Sequence, residues 1–377
     1  HRLPCGGLWH YAGQGGVEGV GKGIGDRSAL FFYKISLCCV LTDGSVLLAS
    51  YGPRVSDSRK EAHLMKSFLI YAVRRIFLLI PFLIGLTILA FLLGVLAPGD
   101  PAMAVLTMDG TAEPTESELL AMRESMGLDQ PFWMQYGSWL THAAVGDLGV
   151  SYLTHRPVLS ELMRRFPVTL HLALWAMGWV ILLGIPAGIW AARRKGHAAE
   201  IGLELVALFF ISMPSFWLGI MMMLIFSEEW QLLPSSGYGD ALHMILPSFV
   251  LAAGTAAAVL RLEQTSVLSV MEKPFLLTER AKGLSASYIE IYHVLPNSLM
   301  PVITMLGTFF ASILGGSVII ENLFSIPGLG SYVLSAIWGR DYPVIQGYVL
   351  VSGTVFIVFN YLVDLSYYLL SPKAREG

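Results

Sequence analysis

The sequence predicts an all-α integral membrane protein with six transmembrane helices, and three observations favour this fold class. First, 55% of the 377 residues are hydrophobic, only 14% are charged, and the mean hydropathy is +0.63. Second, six apolar runs are long enough to cross a bilayer. Third, Lys and Arg concentrate in the segments on one side of these runs. Lipid is therefore the expected solvent, and a net charge of −3 argues against a nucleic-acid binder.

The first 64 residues differ in composition from the rest of the chain. All three cysteines lie there, whereas all 16 methionines lie at or after Met65. We expect residues 1–64 to be non-native upstream translation or a disordered extension, and residues 65–377 to be the membrane domain. The alternative is a signal peptide, although Lys34 interrupts its only candidate apolar core. The cysteines suggest neither a disulfide framework nor a metal site.

This first segment contains a near match to a phosphate-binding loop. Gly16–Gly23, with the sequence GVEGVGKG, fits GxxxxGK(S/T) at every position but the last, where Gly23 replaces the magnesium-binding hydroxyl. No β-branched strand precedes the match and no helical period follows it. We therefore interpret it as a glycine-rich coincidence and not as an ATP site.

A helix that crosses a bilayer core needs about 20 consecutive apolar residues. Five runs reach this length once His171 is counted as neutral. The sixth, Met244–Leu260, is shorter; it can span the bilayer if it crosses with little tilt or if the long side chain of Arg261 extends it by reaching the interface. The predicted spans are Ile76–Leu96, Leu170–Ala192, Leu205–Phe226, Met244–Leu260, Leu299–Ile320 and Pro343–Val363.

The distribution of Lys and Arg predicts the orientation of the spans, because positive charge concentrates in cytoplasmic segments. With the N-terminus inside, twelve Lys and Arg residues from Lys66 onward fall on the cytoplasmic side and five fall outside. Four of those five lie in the segment 97–169, whose length lowers its weight in such a count. Both termini and the loop 261–298 are therefore predicted to be cytoplasmic.

The outer segment 97–169 is predicted to contain short helices. Thr115 and Glu118 have the spacing of a capping box. A second helix is expected to begin at Pro131, a residue type that is common in the first helical turn. The segment fits two compatible roles: a lid packed on the spans, or a landing surface for an extracytoplasmic partner.

Prolines and glycines interrupt the later spans. Pro214 lies inside span three, Pro247 lies near the start of span four, and a stretch rich in Pro and Gly follows Glu321 at the end of span five. Such breaks mark either a pathway or a packing kink, because lipid cannot satisfy the freed backbone groups.

Asp364, the only charged residue predicted inside a span, is either functional or bonded to a helix end near the cytoplasmic interface. The candidate pathway residues are Met213, Pro214, Trp217, Glu321 and Asp364.

No catalytic or cofactor-binding set is recognisable in the sequence. The histidines are scattered, and neither HExxH, GxSxG nor paired intramembrane carboxylates occur. The chain is therefore predicted to have no enzymatic activity of its own and to bind neither a cofactor nor a resident metal ion. A self-contained carrier or channel is the alternative, although it would need ion-coupling carboxylates inside the spans, where only Asp364 is predicted.

A polar stretch, TERAKGLSASYIEIYHVLPN at residues 278–297, lies in the predicted cytoplasmic loop. Gly283 permits a sharp turn, a serine cap follows, and the next helix is expected to end at Pro296. We expect this short amphipathic helix to dock on a soluble partner, since its modest positive charge does not favour the bilayer. Its predicted docking face consists of Tyr288, Ile289, Tyr292 and Leu295.

Within this stretch, Gly283 and Leu295–Pro296 have the spacing of a signature that runs Glu-Ala-Ala, three residues, Gly, nine residues, Ile-x-Leu-Pro. The chain departs from the signature in its first three positions and at His293. Further matching stretches include LAPGDPA, GLDQPFWMQYGSWL, GDLGVSY, SMPSFWLG and IIENLFSIPGLGSYVLSAIWGRDYPVIQG. Apart from residues 1–64, the chain therefore resembles the permease subunits of bacterial ABC importers, in the peptide and nickel branch.

The resemblance implies a type I ABC importer permease fold in the inner (plasma) membrane. It also implies that residues 278–297 form coupling helices, which fit a cleft on a cytoplasmic ATPase and pass its closing motion to the spans. The implied partners are a second homologous permease subunit, two cytoplasmic ABC ATPases, an extracytoplasmic solute-binding protein and membrane lipid. The residues expected to couple are Glu279, Arg280, Ala281, Lys282, Gly283, Leu284, Leu295 and Pro296.

The resemblance leaves the solute open between nickel, a nickel chelate and a short peptide. The stretches LPSSGYGDALHMILP and TAEPTESELLAMRESMGLDQP look similar to the nickel-type member of the branch. His171, His243 and Met221–Met223 have side chains that can bind a soft or borderline metal. Ordinary packing is nevertheless the favoured interpretation of these residues, because such importers leave recognition to a separate binding protein.

Overall fold

The structure of this chain is a computed structural model, which describes residues 58–96, 99–107 and 114–370. Leu64–Gly377 form one compact unit, and all the contacts given below lie within it. The predicted upstream segment lies outside the described residues as far as residue 57, and so does the near phosphate-binding loop Gly16–Gly23.

The described residues are largely helical, with one isolated β-bridge between Val150 and Pro157. Three of the helices contain a π turn, at Val180–Gly184, Leu224–Glu229 and Glu290–Val294. In chain order the helices are α1 (Ser58–Val95), α2 (Pro101–Thr107), α3 (Glu116–Ser125), α4 (Phe132–Ala144), α5 (Val158–Arg193), α6 (Ala198–Ser212), α7 (Ser215–Glu229), α8 (Ala241–Met271), α9 (Phe275–Ala281), α10 (Ala286–Leu314), α11 (Val318–Leu323), α12 (Leu329–Trp338) and α13 (Tyr342–Leu370).

Among the described residues, five helices are long and apolar enough to cross a membrane, and the bent pair α6–α7 makes a sixth span when counted as one. The predicted all-α fold with six spans is thus confirmed. Span four is longer than predicted, because α8 continues its helical hydrogen bonding to Met271. Span five ends earlier than predicted, because two glycines precede a break at Ser317 and the predicted end, Ile320, lies in the separate helix α11.

Helix α8 is the centre of the bundle. It packs against α5, α6, α7 and α10, and 56% of its most apolar stretch is buried, compared with 6% for α13. The approach of α5 depends on Gly184 and Gly188. A Cβ on Gly184 would lie 2.9 Å from the Ala256 carbonyl oxygen, and one on Gly188 would lie 2.6 Å from that of Leu260. This glycine pair therefore allows two backbones to meet, as small residues do between membrane helices.

The first and last spans form an antiparallel pair. At one end, the Tyr361 hydroxyl donates to the Ala72 carbonyl at 3.3 Å. Toward the other end, Gln346 Nε2 donates to the Phe91 carbonyl at 3.3 Å. The remaining exposed side chains of α1 are mostly large and apolar, which suits contact with lipid.

The outer segment contains the two predicted helices, α3 and α4. The capping box is confirmed: the Thr115 N–H donates to Glu118 Oε2 at 2.8 Å, and the Glu118 N–H donates to Thr115 Oγ1 at 3.4 Å. Helix α4 begins at Phe132, one residue later than predicted, because Pro131 has an extended backbone with ψ of 142°.

Helix α4 packs on the end of α1. The Phe91 ring lies 5.4 Å from the ring of Phe132 and 5.5 Å from that of Tyr136, and Tyr136 also contacts the Thr87 hydroxyl at 2.9 Å. A cavity of about 1070 Å³ opens between these helices and the start of α13. The packing supports the lid role predicted for this segment, whereas its role as a landing surface stays a prediction.

Candidate functional site

The predicted coupling segment, residues 278–297, forms two helices joined by a tight turn. Gly283 lies in this turn with φ of 80°, and its N–H and that of the next residue donate to carbonyls near the end of α9, at 3.0 and 3.4 Å. These bonds form a Schellman motif, whose left-handed residue is usually glycine. No atom lies within 4 Å of a Cβ built on Gly283, so conformation and not packing requires glycine. Helix α9 contains Glu279, Arg280 and Ala281, and the turn contains Lys282, Gly283 and Leu284.

The second helix of the segment begins after Ser285, which accepts a hydrogen bond from the Tyr288 N–H at 3.3 Å. This helix does not end at Pro296 as predicted, but continues as the fifth span. The physical reason is the π turn at Glu290–Val294, directly before Leu295. A π turn disrupts the regular pattern of hydrogen bonds, and it can therefore accommodate a proline that lacks an N–H. The coupling segment and the fifth span are thus one continuous element.

The docking face predicted for this helix is only partly exposed. Tyr288 and Tyr292 are 45% and 62% exposed, with ring centroids 4.6 Å apart. The prediction is wrong for Ile289, which is 4% exposed and packs in a cluster with Leu276. Leu295 is half-buried. The helix buries this side because it lies against α8 and α9, which sequence periodicity alone does not reveal. The large apolar residues exposed between positions 275 and 297 are Phe275, Leu277, Tyr288, Ile291 and Tyr292.

Ion pairs stabilise the coupling segment and attach it to α5. Lys282 Nζ lies 3.2 Å from Glu279 Oε1 within the first helix. Arg193, the last residue of α5, donates from Nε to Glu290 Oε1 at 2.6 Å. A cavity of about 240 Å³ lies between the two helices, with Arg280 on its wall. These contacts bring together two segments that charge counting assigns to the same side of the membrane.

A buried carboxylate that sequence analysis did not single out lies at the base of the loop 261–298. Glu263 is 0% exposed, and its Oε1 accepts a hydrogen bond from the Ser298 hydroxyl at 2.8 Å. Its Oε2 has no hydrogen-bond partner among the described residues. The only sequence signal was an acidic residue near the end of an apolar run, which is also typical of an exposed helix end.

The break in span three lies at Met213 and Pro214. Here α6 and α7 meet at an angle of 103°. Met213 adopts an extended backbone with ψ of 130°, as expected for a residue that precedes proline. Pro214 and Trp217 are exposed, with 38% exposure for the indole, while Met213 is half-buried. Three of the predicted pathway residues therefore lie together at one bend of the bundle surface.

Glu321 is a buried connection between helices. It is 0% exposed, and its Oε1 accepts hydrogen bonds from Thr169 at 2.8 Å and Ser317 at 2.5 Å. Its Oε2 accepts one from the Ser331 N–H at 3.0 Å, in the first turn of α12. A carboxylate is favourable at a helix N-terminus. A Cβ on Gly328 would lie 2.5 Å from the Glu321 carboxyl carbon, so glycine makes room for this arrangement.

Asp364 forms an ion pair with Arg75 at 2.8 Å, and each side chain is 41% exposed. The pair joins the last span to the first, on the end of the bundle that charge counting assigns to the cytoplasm. The second alternative offered for Asp364 was a bond to a helix end near the cytoplasmic interface; the structure shows instead an ion pair between side chains, which holds neighbouring spans together. Asp364 is therefore not grouped with Met213, Pro214 and Trp217.

Asp341, a second residue that sequence analysis missed, attaches the outer loop to the start of α13. It is 1% exposed and accepts hydrogen bonds from the Ser151 hydroxyl at 2.6 Å and the Tyr152 N–H at 3.1 Å. Burial, followed by the charges of Asp341 and Tyr342, raises the pKa of the Tyr152 hydroxyl to about 12. The phenol therefore stays protonated at neutral pH.

The residues considered as metal ligands are engaged in other contacts. His171 Nε2 accepts a hydrogen bond from Trp175 Nε1 at 2.9 Å, and His243 Nδ1 contacts Asp240 at 2.5 Å. Within the described ranges, no group of three or more His, Cys, Asp and Glu residues has the geometry to hold a metal ion. Met221–Met223 are half-buried on α7.

Two family descriptions match the chain. "Binding-protein-dependent transport system inner membrane component" matches residues 184–376, and the N-terminal part of the same membrane component matches residues 65–173. The chain is similar to the glutathione transport system permease protein GsiC of Escherichia coli K12, with 36% identity over 305 residues. It is also 36% identical over 337 residues to the dipeptide transport system permease protein DppB of the same strain. Each match covers 81% of this chain and 98% of the relative.

Among solved structures, the chain is similar to the MetNI methionine ABC transporter in inward-facing conformations. One crystal form gives a TM-score of 0.46 and another gives 0.48, both at 17% sequence identity. Each match covers 56% of this chain and 96% of the solved chain.

Proposed function

Because this chain belongs to the family of binding-protein-dependent transport system inner membrane components, it is a multi-pass permease subunit of an ABC importer, and we propose that it forms half of a translocation path for short peptides. The observation that carries the proposal is the match to curated permeases over 98% of their length. The second half of the path would come from a homologous permease subunit, and an extracytoplasmic binding protein would deliver the solute.

Separate ATPases on the cytoplasmic side would supply the energy. We propose that they contact the coupling segment, residues 278–297, through the exposed side chains of Tyr288 and Tyr292 and through the adjacent Leu277. Large apolar and aromatic side chains of this kind are typical anchors at a protein interface. The continuity of this segment with α10 supports the proposal, because a push on a continuous helix displaces the span itself.

Transport would follow from rigid-body rocking between two states of the assembled importer. In each state the path opens to one side of the membrane, and ATP binding and hydrolysis shift the population between the states. The bend at Met213 and Pro214 is the best candidate among the described residues for a wall of the path, because an interrupted helix lies there beside the exposed residues Pro214 and Trp217.

Short peptides are proposed as the solute because the two relatives quoted above are named for glutathione and dipeptide transport. Nickel or a nickel chelate, favoured by two sequence stretches, is the competing outcome. The alternative of a self-contained carrier is not favoured, since the intramembrane Asp364 is paired with Arg75 and the family consists of components of binding-protein-dependent systems.

The proposal is tested by purifying the chain with the ATPases and the solute-binding protein encoded beside it and reconstituting them in vesicles. ATP-dependent uptake of radiolabelled glutathione and dialanine is compared with uptake of nickel and nickel-histidine. We expect peptide uptake that stops when either the binding protein or ATP is omitted. Uptake of nickel alone would overturn the choice of solute, and uptake independent of any ATPase would overturn the importer assignment.

A further inference from the structure

Two buried side chains form a hydrogen bond that joins the two ends of the predicted cytoplasmic loop, residues 261–298. Glu263 lies near the start of the loop 261–298 and Ser298 lies at its end, and both are 0% exposed. The Ser298 hydroxyl donates to Glu263 Oε1 at 2.8 Å. This bond joins α8 to α10 directly after the coupling segment, so it is one of the contacts through which a displacement of that segment can reach α8.

The surroundings of Glu263 connect four helices at the same level. A Cβ on Gly188 of α5 would lie 2.8 Å from the Glu263 Cβ, so α5 is already in close contact there. The next residue, Gln264, donates from Nε2 to Glu200 Oε1 of α6 at 2.8 Å. At this point α8 therefore touches α5, α6 and α10 together, and a force applied at Ser298 acts on the most highly connected helix of the bundle.

Stability alone does not account for an acidic residue at this position. The Glu263 Oε2 has no partner among the described residues, and a buried carboxylate oxygen without a hydrogen bond is unfavourable. Methionine would fill a similar volume without that cost. The methionine sulfur is only a weak acceptor, so it would hold the Ser298 hydroxyl less firmly than the Glu263 carboxyl oxygen does.

We propose that Glu263 is a positioning residue of the coupling machinery, whose carboxylate holds Ser298 so that movement of the coupling segment is passed to α8. The inference rests on the proposed function, since it presupposes an ATPase acting on residues 278–297. Beyond that function, it identifies the hydrogen bond between Glu263 and Ser298 as a contact through which movement of the coupling segment reaches α8.

The first test is the Ser298→Ala variant in the reconstituted complex, with uptake of glutathione and dialanine and ATP hydrolysis measured in parallel. We expect solute transported per ATP to fall about tenfold, the effect of losing one hydrogen bond to a charged group. Glu263→Gln keeps an acceptor oxygen and should stay within about twofold of the original ratio. Wild-type coupling in Ser298→Ala would overturn the proposal.

A double variant, Glu263→Met with Ser298→Ala, separates coupling from stability. It removes the buried carboxyl group, so the thermal unfolding temperature should equal or exceed that of the unchanged protein even if Ser298→Ala alone folds poorly. Transport per ATP should nevertheless stay about tenfold low, because the contact is absent. If the double variant recovered normal coupling, the bond would matter only for stability, and the proposal would be overturned.

Ser248→Ala is the matched control, because Ser248 on α8 is as fully buried as Ser298, and its hydrogen bonds are with Trp179, Met244 and Ile245, which lie outside the coupling segment. Its coupling ratio should be unchanged, and an equal loss in this control would overturn the assignment to Glu263. The two proposals fail differently. Absence of ATP-driven uptake in the unchanged complex would refute the proposed function, whereas normal coupling in Ser298→Ala refutes only the present inference.

Discussion

Three acidic residues near the ends of the spans differ in how deeply they are buried, and this difference predicts how much each one contributes to stability. Glu321 and Asp341 are almost fully buried, and each accepts hydrogen bonds from backbone N–H groups and hydroxyls. Asp364 is 41% exposed and pairs with Arg75. An exposed pair contributes about 0–1 kcal/mol, whereas a buried hydrogen bond to a charged group contributes about 1.5–3 kcal/mol. We therefore expect Glu321 and Asp341 to hold the outer helices together.

At the residue scale, Gly283→Asp tests the coupling segment. We expect the variant to insert normally and the ATPase to keep its basal activity. Coupled uptake should fall about tenfold, the effect of about 1.4 kcal/mol of lost docking energy. The physical reason is a new charge and a strained backbone at the proposed interface. Uptake and ATP hydrolysis in reconstituted vesicles provide the measurement.

Gly196 is a matched control for this substitution. It has φ of 82°, close to the 80° of Gly283, and no atom lies within 4 Å of a Cβ built at either position. Gly196→Asp therefore introduces the same strain and the same charge outside the coupling segment. Normal uptake in Gly283→Asp, or an equal loss in Gly196→Asp, would contradict the docking role.

At the element scale, the close contact of α5 with α8 depends on Gly184 and Gly188, because a side chain at either position would collide with the α8 backbone. The spacing of these glycines is visible in the sequence, but the helix that they face is not. Only the structure pairs them with Ala256 and Leu260 of α8. The contact matters for the site because it lies next to Glu263, at the level where the fifth span joins the bundle.

Gly188→Leu should destabilise the protein by about 3 kcal/mol, since the added side chain would overlap the α8 backbone. Gly178→Leu is the control on the same helix, because no atom lies within 4 Å of its Cβ position. It should change stability by about 1 kcal/mol or less, in the stabilising direction expected for glycine replacement within a helix. Thermal unfolding in detergent distinguishes them, and equal unfolding temperatures would refute close packing at Gly188.

The coupling segment also shows why a prediction from neighbouring residues in the sequence can fail. Proline normally ends or kinks a helix, and on that basis Pro296 was expected to terminate the short cytoplasmic helix. The π turn at Glu290–Val294 precedes it and keeps the helix continuous. This turn is held from outside by the ion pair between Arg193 and Glu290, 97 residues apart in the chain. No local sequence pattern carries that information.

At the scale of the whole molecule, the contacts agree with the two sides assigned by charge counting. The ends of α5 and α10 meet through Arg193 and Glu290 on the predicted inner side. The outer loop meets the start of α13 through Ser151 and Asp341 on the predicted outer side. Each pair joins segments that the positive-inside rule places together.

Cysteine labelling tests this orientation, and the chain suits the method because all three of its cysteines, at positions 5, 38 and 39, can be replaced by serine. In that background we expect Ser125→Cys to react with a membrane-impermeant maleimide on spheroplasts. Lys195→Cys should react only after the membrane is permeabilised. Labelling of intact spheroplasts at Lys195→Cys would reverse the predicted topology.

The fold class, the six spans and the turn at Gly283 in the proposed coupling segment could all be predicted from the sequence alone. These features depend on composition, on run length and on the spacing of residues such as Gly283 and Pro296, all of which are local. The bend at Met213 and Pro214 was likewise marked by its proline.

Three features could be seen only in the folded chain: which side of the helix after Gly283 is buried, the continuation of that helix through Pro296, and the contact between Glu263 and Ser298. Burial and hydrogen bonding depend on neighbours distant in sequence. Ile289 turns inward because another helix covers it, and Glu263 gains its one partner from a residue 35 positions away. A linear pattern records the residue types but not these neighbours, which is the physical reason that the base of the coupling loop emerged only from the fold.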